Sequence, residues 1–328
     1  MRYMEIGSSG VLASVVSVGT FGIGGGNTWS DTKTDEGMTS SILDAALDCG
    51  VNLVDTAPVY GIGTSERFLK KALKGRREKF FIQTKCGLNW REGDDSILEY
   101  IRDEKYVRRN LRAEAIRKDL EDSLCRMGID HVDIYITHRQ SNITPVEETM
   151  GELLKMKKEG KIRAIGISNA SPEILEAYEK VGHVDLVQEK FSILSPAAKE
   201  KYIPVCERLG TAFQVYSSLE SGALTGPEAL GKVFPEGDLR TRNKWFTEEM
   251  RLRMLALYQG WEPLLEKYSC SLVNLVQAWT LEQSPNINLL TGIRRVETLV
   301  DTAKATEISL SPEDVQKMQK DCRTLMAL

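Results

Sequence analysis

Short apolar runs alternate with amphipathic stretches along the whole chain, and the alternation recurs eight times. Residues 15–19, 52–55, 80–85, 132–138, 164–168, 186–188, 212–216 and 287–291 read as buried strands, too short for helices and rich in β-branched or aromatic residues. Strands buried on both faces and separated by helical stretches specify a parallel sheet of βα units. Eight such units close into a (β/α)8 barrel, the TIM fold, and 328 residues fall within the range of one such domain. Residues 1–328 are therefore read as a single domain.

The helical stretches carry their own punctuation. Residues 39–49 place Ile42, Leu43, Ala46 and Leu47 on one face and stop at Gly50. Residues 113–127 align Ile116, Leu120, Leu124 and Met127 and stop at Gly128. At 145–158 Thr144 is expected to cap, with Pro145 in the first turn. Ser171-Pro172-Glu173 and Ser311-Pro312-Glu313 repeat that order, the latter opening a C-terminal helix after the eighth unit. Residues 2–12 predict an antiparallel β-hairpin ahead of the barrel. Two connections, 87–110 and 224–248, are longer than a βα unit needs and are read as extended lids without regular structure, anchored by Trp90, Trp245 and Phe246.

Four polar residues close or follow predicted strands: Asp55, Tyr60, Lys85 and His138. In a parallel barrel the carboxyl ends of strands meet at one mouth, where the chemistry of such barrels resides. A carboxylate, a phenol, an ammonium and an imidazole converging there can protonate a carbonyl oxygen. Taken singly, each has a plainer use. Asp55 can cap a turn, Tyr60 can be a surface residue, and a lone His138 is more often structural. Lys85 is harder to dismiss, because lysine ending an apolar strand is costly to desolvate unless paired.

The wording of these segments resembles the aldo-keto reductases. The matches are Gly50-Val51-Asn52-Leu53-Val54-Asp55-Thr56-Ala57 with Tyr60-Gly61 and Ser65-Glu66, Thr84-Lys85-Cys86-Gly87, and Asp133-Ile134-Tyr135-Ile136-Thr137-His138. Gly160-Lys161-Ile162-Arg163-Ala164-Ile165-Gly166-Ile167-Ser168-Asn169 and Gln214-Val215-Tyr216-Ser217-Ser218-Leu219 continue them, so the likeness runs in order through nearly the whole chain. Within that family it is most similar to bacterial enzymes that reduce small aldehydes such as methylglyoxal.

The resemblance implies hydride transfer from NADH or NADPH to the carbonyl of a small aldehyde, ketone or sugar. Tyr60 would donate the proton, Lys85 lower its pKa, Asp55 fix the lysine and His138 orient the carbonyl oxygen. It also implies a cofactor cleft from Gly19, Thr20, Phe21, Asp55, Ser168, Asn169, Gln188, Tyr216, Ser217, Leu219, Gly222, Leu224, Gly292 and Arg294. Ser168, Asn169 and Gln188 would hold the nicotinamide carboxamide, and Tyr216 would stack on the ring. Thr298 and Thr302 stand where the family commonly has Gln or Arg and then Asn gripping the adenosine end, so the choice between NADH and NADPH stays open. Ser218 replaces a usual proline, and Glu220 adds a charge with no evident purpose. Trp29, Tyr60, Trp90, Arg139, Trp245 and Phe246 are expected substrate walls. The same resemblance admits a sugar or polyol dehydrogenase running oxidatively, or a nicotinamide-binding regulatory subunit. Glycines 22, 24, 25 and 26 do not have the spacing of a dinucleotide fingerprint.

Composition narrows the remaining classes. A net charge of −4 gives no reason to expect nucleic acid or an anionic membrane. The first residues lack an apolar signal core, and no apolar run spans a bilayer. Six scattered cysteines, with no CxxC and no metal-like histidine spacing, fit reduced thiols in the cytoplasm. The expected partner is a small carbonyl or sugar substrate, with no metal, and the chain works as a monomer or homo-oligomer.

Overall fold

The computed structural model describes residues 1–24, 35–91, 93–94 and 96–327. Strands β1 (Tyr3–Glu5) and β2 (Leu12–Ser14) pair antiparallel as the expected hairpin. Its Ile6, Val11 and Ala13 pack with Leu53, Ile134, Ile136, Ala164, Leu186 and Ala212, closing the floor of the barrel.

The barrel opens with β3 (Val16–Gly19), β4 (Leu53–Asp55) and β5 (Phe81–Cys86). An excursion follows, with β6 (Leu88–Asn89), β7 (Ile97–Arg102) and β8 (Lys105–Arg109). The barrel resumes with β9 (Val132–Thr137), β10 (Ile162–Ser168), β11 (Leu186–Lys190), β12 (Ala212–Tyr216) and β13 (Ile287–Gly292). Eight parallel strands close in the order β3-β4-β5-β9-β10-β11-β12-β13, the TIM barrel expected. Strand bounds move by at most two residues from the sequence reading, and β5 runs one residue past Lys85 to Cys86.

Helices wrap the barrel: α1 (Glu36–Asp48), α2 (Thr64–Ala72), α3 (Ala113–Met127), α4 (Val146–Lys158), α5 (Pro172–Glu179) and α6 (Ala197–Leu209). Asp35 caps α1 by accepting from Met38 N at 2.8 Å, and Ser171 caps α5. Thr144 does not cap α4: Pro145 takes the cap position, and it makes no side-chain cap hydrogen bond. Between β12 and β13 lie α7 (Pro227–Leu230), α8 (Glu248–Tyr268) and α9 (Leu272–Leu281), and α10 (Val296–Lys304) follows β13. The expected C-terminal helix, α11 (Pro312–Ala327), packs on α8, where Trp261 Nε1 donates to Asp321 Oδ2 at 3.0 Å.

Both long connections differ from expectation. Within 87–110 the strands β6, β8 and β7 form a three-stranded antiparallel sheet in that order. Asp103 and Glu104 both adopt positive φ, 48° and 59°, which is the conformation a tight two-residue hairpin turn requires. Residues 224–248 contain α7 and short 3-10 turns in place of an irregular lid.

Candidate active site

The barrel brings Asp55, Tyr60, Lys85 and His138 together. Asp55 ends β4, and the turn after it returns Tyr60 over the strand, its N–H bonding Ala57 O at 3.1 Å. Gly61 permits that turn: it has φ +59°, and a Cβ there would stand 2.5 Å from the Gly24 carbonyl oxygen. Lys85 has no solvent access. Its Nζ donates to Asp55 Oδ1 at 2.6 Å and Oδ2 at 2.8 Å, to Thr56 O at 2.9 Å and to the Tyr60 hydroxyl at 3.0 Å.

Burial pushes the Tyr60 phenol well above its usual value near 10, and the Asp55 charge acts the same way. The sequence-based expectation ran opposite. The reason is that Asp55 sits directly on Lys85 and offsets its charge, leaving desolvation to decide. Burial also lowers the Lys85 ammonium, with Asp55 opposing.

His138 follows β9, and its N–H bonds Cys86 O at 2.9 Å. Its ring meets the Tyr60 ring edge-on at 5.9 Å, and its Nδ1 is enclosed with no hydrogen-bond partner. Burial, then Lys85 and Arg139, hold its pKa well below 6.5, so the ring is neutral at neutral pH.

The expected cofactor residues divide by how their polar atoms are engaged. Gly19 lies against the Thr291 carbonyl, and Phe21 stacks edge-on to Tyr60 at 5.1 Å. Thr20 is buried, and its hydroxyl donates to Asp55 O at 2.8 Å. Ser168 donates to Gln188 O at 2.9 Å. Asn169 donates to His138 O at 2.9 Å and accepts from the Tyr216 hydroxyl at 2.8 Å. Among the described residues Gln188 Oε1 receives only a long 3.4 Å contact from Ser168 Oγ, leaving an acceptor suited to a carboxamide N–H.

Ser217, Leu219 and Gly222 lie in a loop where Ser217, Glu220, Ser221 and Gly222 all have positive φ, while Leu224 is buried. Glu220, unexplained by sequence, is buried and pairs with Lys190 Nζ at 2.8 Å and with the Ser192 hydroxyl. Gly292 is exposed, and the Arg294 side chain lies where a Cβ on Gly22 would collide at 2.5 Å. Thr298 faces solvent on α10, whereas Thr302 is fully buried with its hydroxyl unpartnered.

Of the expected substrate walls, Trp29 lies outside the described residues. Trp90 borders a cleft of about 110 Å³ with Pro58, Asp119 and Arg126, and the Arg126 guanidinium sits 5.6 Å from its ring centre. Arg139 is half-exposed beside His138, 3.8 Å from Glu99. Trp245 and Phe246 are 2% and 8% exposed and belong to the main core, Phe246 edge-on to Phe234 at 5.0 Å. They anchor the connection from beneath and offer almost no surface to a ligand.

Sequence reasoning missed the cover over Tyr60. Leu88 and Val107 of the excursion sheet cluster with Ala57, Val59 and Tyr60, and Tyr100 packs against them. The sheet is pinned to the mouth by Arg109, whose Nη1 donates to Gln140 O at 2.7 Å, while its Nε lies 3.3 Å from Glu99 within the sheet itself. Also missed were Gln83, Gln214 and Asn288, buried amides inside the barrel. Polar residues inside otherwise apolar strands were the available signal.

The profile of the aldo/keto reductase family matches residues 15–321. The chain is 37% identical to an NADH-specific methylglyoxal reductase of Escherichia coli (strain K12), across 99% of each protein. It is 30% identical to an aldo-keto reductase of Bacillus subtilis (strain 168), across 99% of this chain and 94% of that one. Among solved structures, a glycerol dehydrogenase from Gluconobacter oxydans superposes with a TM-score of 0.86 at 31% identity, covering 98% of this chain and 94% of that one.

Proposed function

The chain belongs to the aldo/keto reductase family, and on that premise we propose that Tyr60 donates the proton when a small aldehyde, ketone or sugar is reduced to an alcohol. The protein is an NAD(P)-dependent oxidoreductase. One observation carries the assignment of roles: Lys85, held by both oxygens of Asp55, reaches the Tyr60 hydroxyl at 3.0 Å.

Bound dihydronicotinamide supplies the hydride to the carbonyl carbon. Neutral His138 orients the carbonyl oxygen by hydrogen bonding, and Tyr60 delivers its proton as charge develops there. Lys85 then stabilises the phenolate left behind, and Asp55 keeps the ammonium in place. Ser168, Asn169 and Gln188 would hold the carboxamide and Tyr216 the ring face, with Gln188 Oε1 as the open acceptor.

A small aldehyde such as methylglyoxal is the favoured substrate, and NADH the favoured cofactor. The relative from Escherichia coli supports both, and the neutral Thr298 on α10 supports the second. The likeness to a glycerol dehydrogenase supports a second reading, polyol oxidation at the same site. The raised Tyr60 pKa favours reduction, because it keeps the phenol protonated. Six unpaired thiols support a reducing, cytoplasmic setting, and among the described residues no helix is long and apolar enough to cross a membrane.

Loss of dihydronicotinamide absorbance with a panel of aldehydes, ketones and sugars, using each cofactor, tests the proposal. Turnover of a small aldehyde with NADH is the expected result. Cofactor binding without turnover of any carbonyl or polyol would point instead to a regulatory subunit.

A further inference from the structure

Barrel interiors of this kind are normally filled by layers of Val, Ile and Leu. Here the register aligns Gln188, Gln214 and Asn288 across β11, β12 and β13, and Asp55 with Gln83 across β4 and β5. All five side chains are buried, and they meet across the lumen. An amide buried there without partners would be costly, so the layer depends on bonds that run in one consistent direction; among the described residues its one unfilled position is Gln83 Oε1.

The direction is set from one end. Lys85 donates to both Asp55 oxygens, and an ionised carboxylate accepts only. Gln83 must therefore turn its Nε2 toward Asp55 Oδ1, at 2.5 Å, and the same nitrogen donates to Gln214 Oε1 at 2.7 Å. Gln188 does likewise, with Nε2 2.6 Å from Gln214 Oε1 and 3.2 Å from Asp55 Oδ1. With two donors on its oxygen, Gln214 must present Nε2 to Asn288 Oδ1, at 2.8 Å, where the Ser17 hydroxyl also donates at 2.6 Å. Asn288 Nδ2 then reaches Ser14 O in the hairpin, at 2.8 Å. One carboxylate at the mouth orients four amides down to the floor.

We propose that Gln214 is a positioning residue of the reductase centre. It pins Gln188 by the nitrogen, so that the Gln188 carbonyl oxygen faces Ser168 and the nicotinamide side. Through Gln83 and Gln188 it also restrains Asp55 against Lys85. This inference rests on the reductase reading of the site.

Two variants test it, Gln214→Met, which keeps the volume, and Gln214→Glu, which keeps an acceptor for Gln83 and Gln188. NADH affinity is measured by titration calorimetry without substrate, and the Tyr60 phenol is titrated by absorbance in cofactor-free protein against Tyr60→Phe. Gln214→Met is expected to weaken NADH binding about tenfold and to move the Tyr60 titration. Gln214→Glu keeps the acceptor for Gln83 and Gln188 but sets an oxygen against Asn288 Oδ1, a cost that falls at the floor and reads as a lower melting temperature. NADH should still bind within about twofold of wild type, while the added charge raises the Tyr60 titration. Wild-type affinity and wild-type titration in both variants overturn the proposal, whatever happens to their melting temperatures. If Gln214→Met does not fold, the Glu variant decides alone through affinity: NADH binding within about twofold of wild type, with the acceptor for Gln188 kept, supports the role, and a loss of about tenfold or more overturns it. A wild type that binds NADH but reduces no carbonyl sinks the reductase reading, and the two binding measurements still judge Gln214.

Discussion

Lys85 meets both oxygens of Asp55, at 2.6 and 2.8 Å, with no solvent reaching the ammonium. A buried charge whose bonded counter-charge is a single carboxylate depends strongly on it, because neutral acceptors such as Thr56 O and the Tyr60 hydroxyl do not compensate an ion in a low dielectric. Asp55→Asn keeps the shape and removes the charge. It should destabilise the fold by about 3–5 kcal/mol, read from urea unfolding. A loss below about 1 kcal/mol would mean that Lys85 finds other compensation or enters the fold neutral.

Tyr60 makes a prediction about direction and pH. Its phenol ionises well above 10, so it stays protonated across the neutral range. Carbonyl reduction should therefore show no titration by Tyr60 between about pH 6 and 9, while alcohol oxidation should keep rising to about pH 10 without a plateau. Tyr60→Phe should cut the reductive kcat by about 10³ and leave NADH affinity near wild type. Near-normal turnover in that variant removes Tyr60 from the acid role.

His138 adds a stability signature. Its folded pKa lies well below 6.5, so folding favours the neutral ring. The unfolded chain takes up a proton first as the pH falls below 6.5, and stability declines from there until the folded pKa is reached. The slope for one such group is about 1.4 kcal/mol per pH unit, and His138→Gln should remove it. Parallel pH–stability curves for the two proteins would show that His138 is as easily charged when folded.

The expected parts and the missed parts of the fold separate by the range of the signal. Strand positions and the convergence of Asp55, Lys85 and His138 follow from local apolar runs and the topology they impose. The excursion sheet was hidden because its turn uses Asp103-Glu104 at positive φ, where Asn-Gly or Asp-Gly would have announced a hairpin. The Gln83–Gln214–Asn288 layer was hidden for a different reason. Each amide sits alone in an apolar strand, and only the register between strands brings them to bonding distance. Trp245 and Phe246 misled because aromatic residues in a polar stretch read equally well as ligand walls and as anchors turned inward.

Thr298 bears on the cofactor. It is exposed on α10, close in sequence to Arg294 and Arg295, and carries no charge for a 2′-phosphate. Thr298→Arg should lower the NADPH Michaelis constant relative to that of NADH by about tenfold, since a bidentate Arg–phosphate contact adds roughly 1.5–3 kcal/mol before ordering costs. A wild type that already prefers NADPH would locate phosphate recognition elsewhere.

Glu220 supplies the last prediction, because its conformation and its charge oppose each other. Its φ of +46° lies in the left-handed region that glycine, and less often Asn or Asp, adopts, and costs a glutamate about 1 kcal/mol. Its carboxylate is nevertheless buried and held by Lys190 and Ser192, tying the loop after β12 to the end of β11. Glu220→Gly removes the strain together with the charge, leaving Lys190, already half-exposed, free to hydrate. The net cost should be within about 1 kcal/mol. Lys190→Met instead strands the carboxylate in the interior with only the serine, at a cost of about 2 kcal/mol after allowing for the exposed lysine. Urea midpoints should therefore rank wild type above Glu220→Gly, and Glu220→Gly above Lys190→Met. The reverse order of the two variants would show that backbone strain at 220 is negligible and that the ion pair, not the isolated carboxylate, governs the loop.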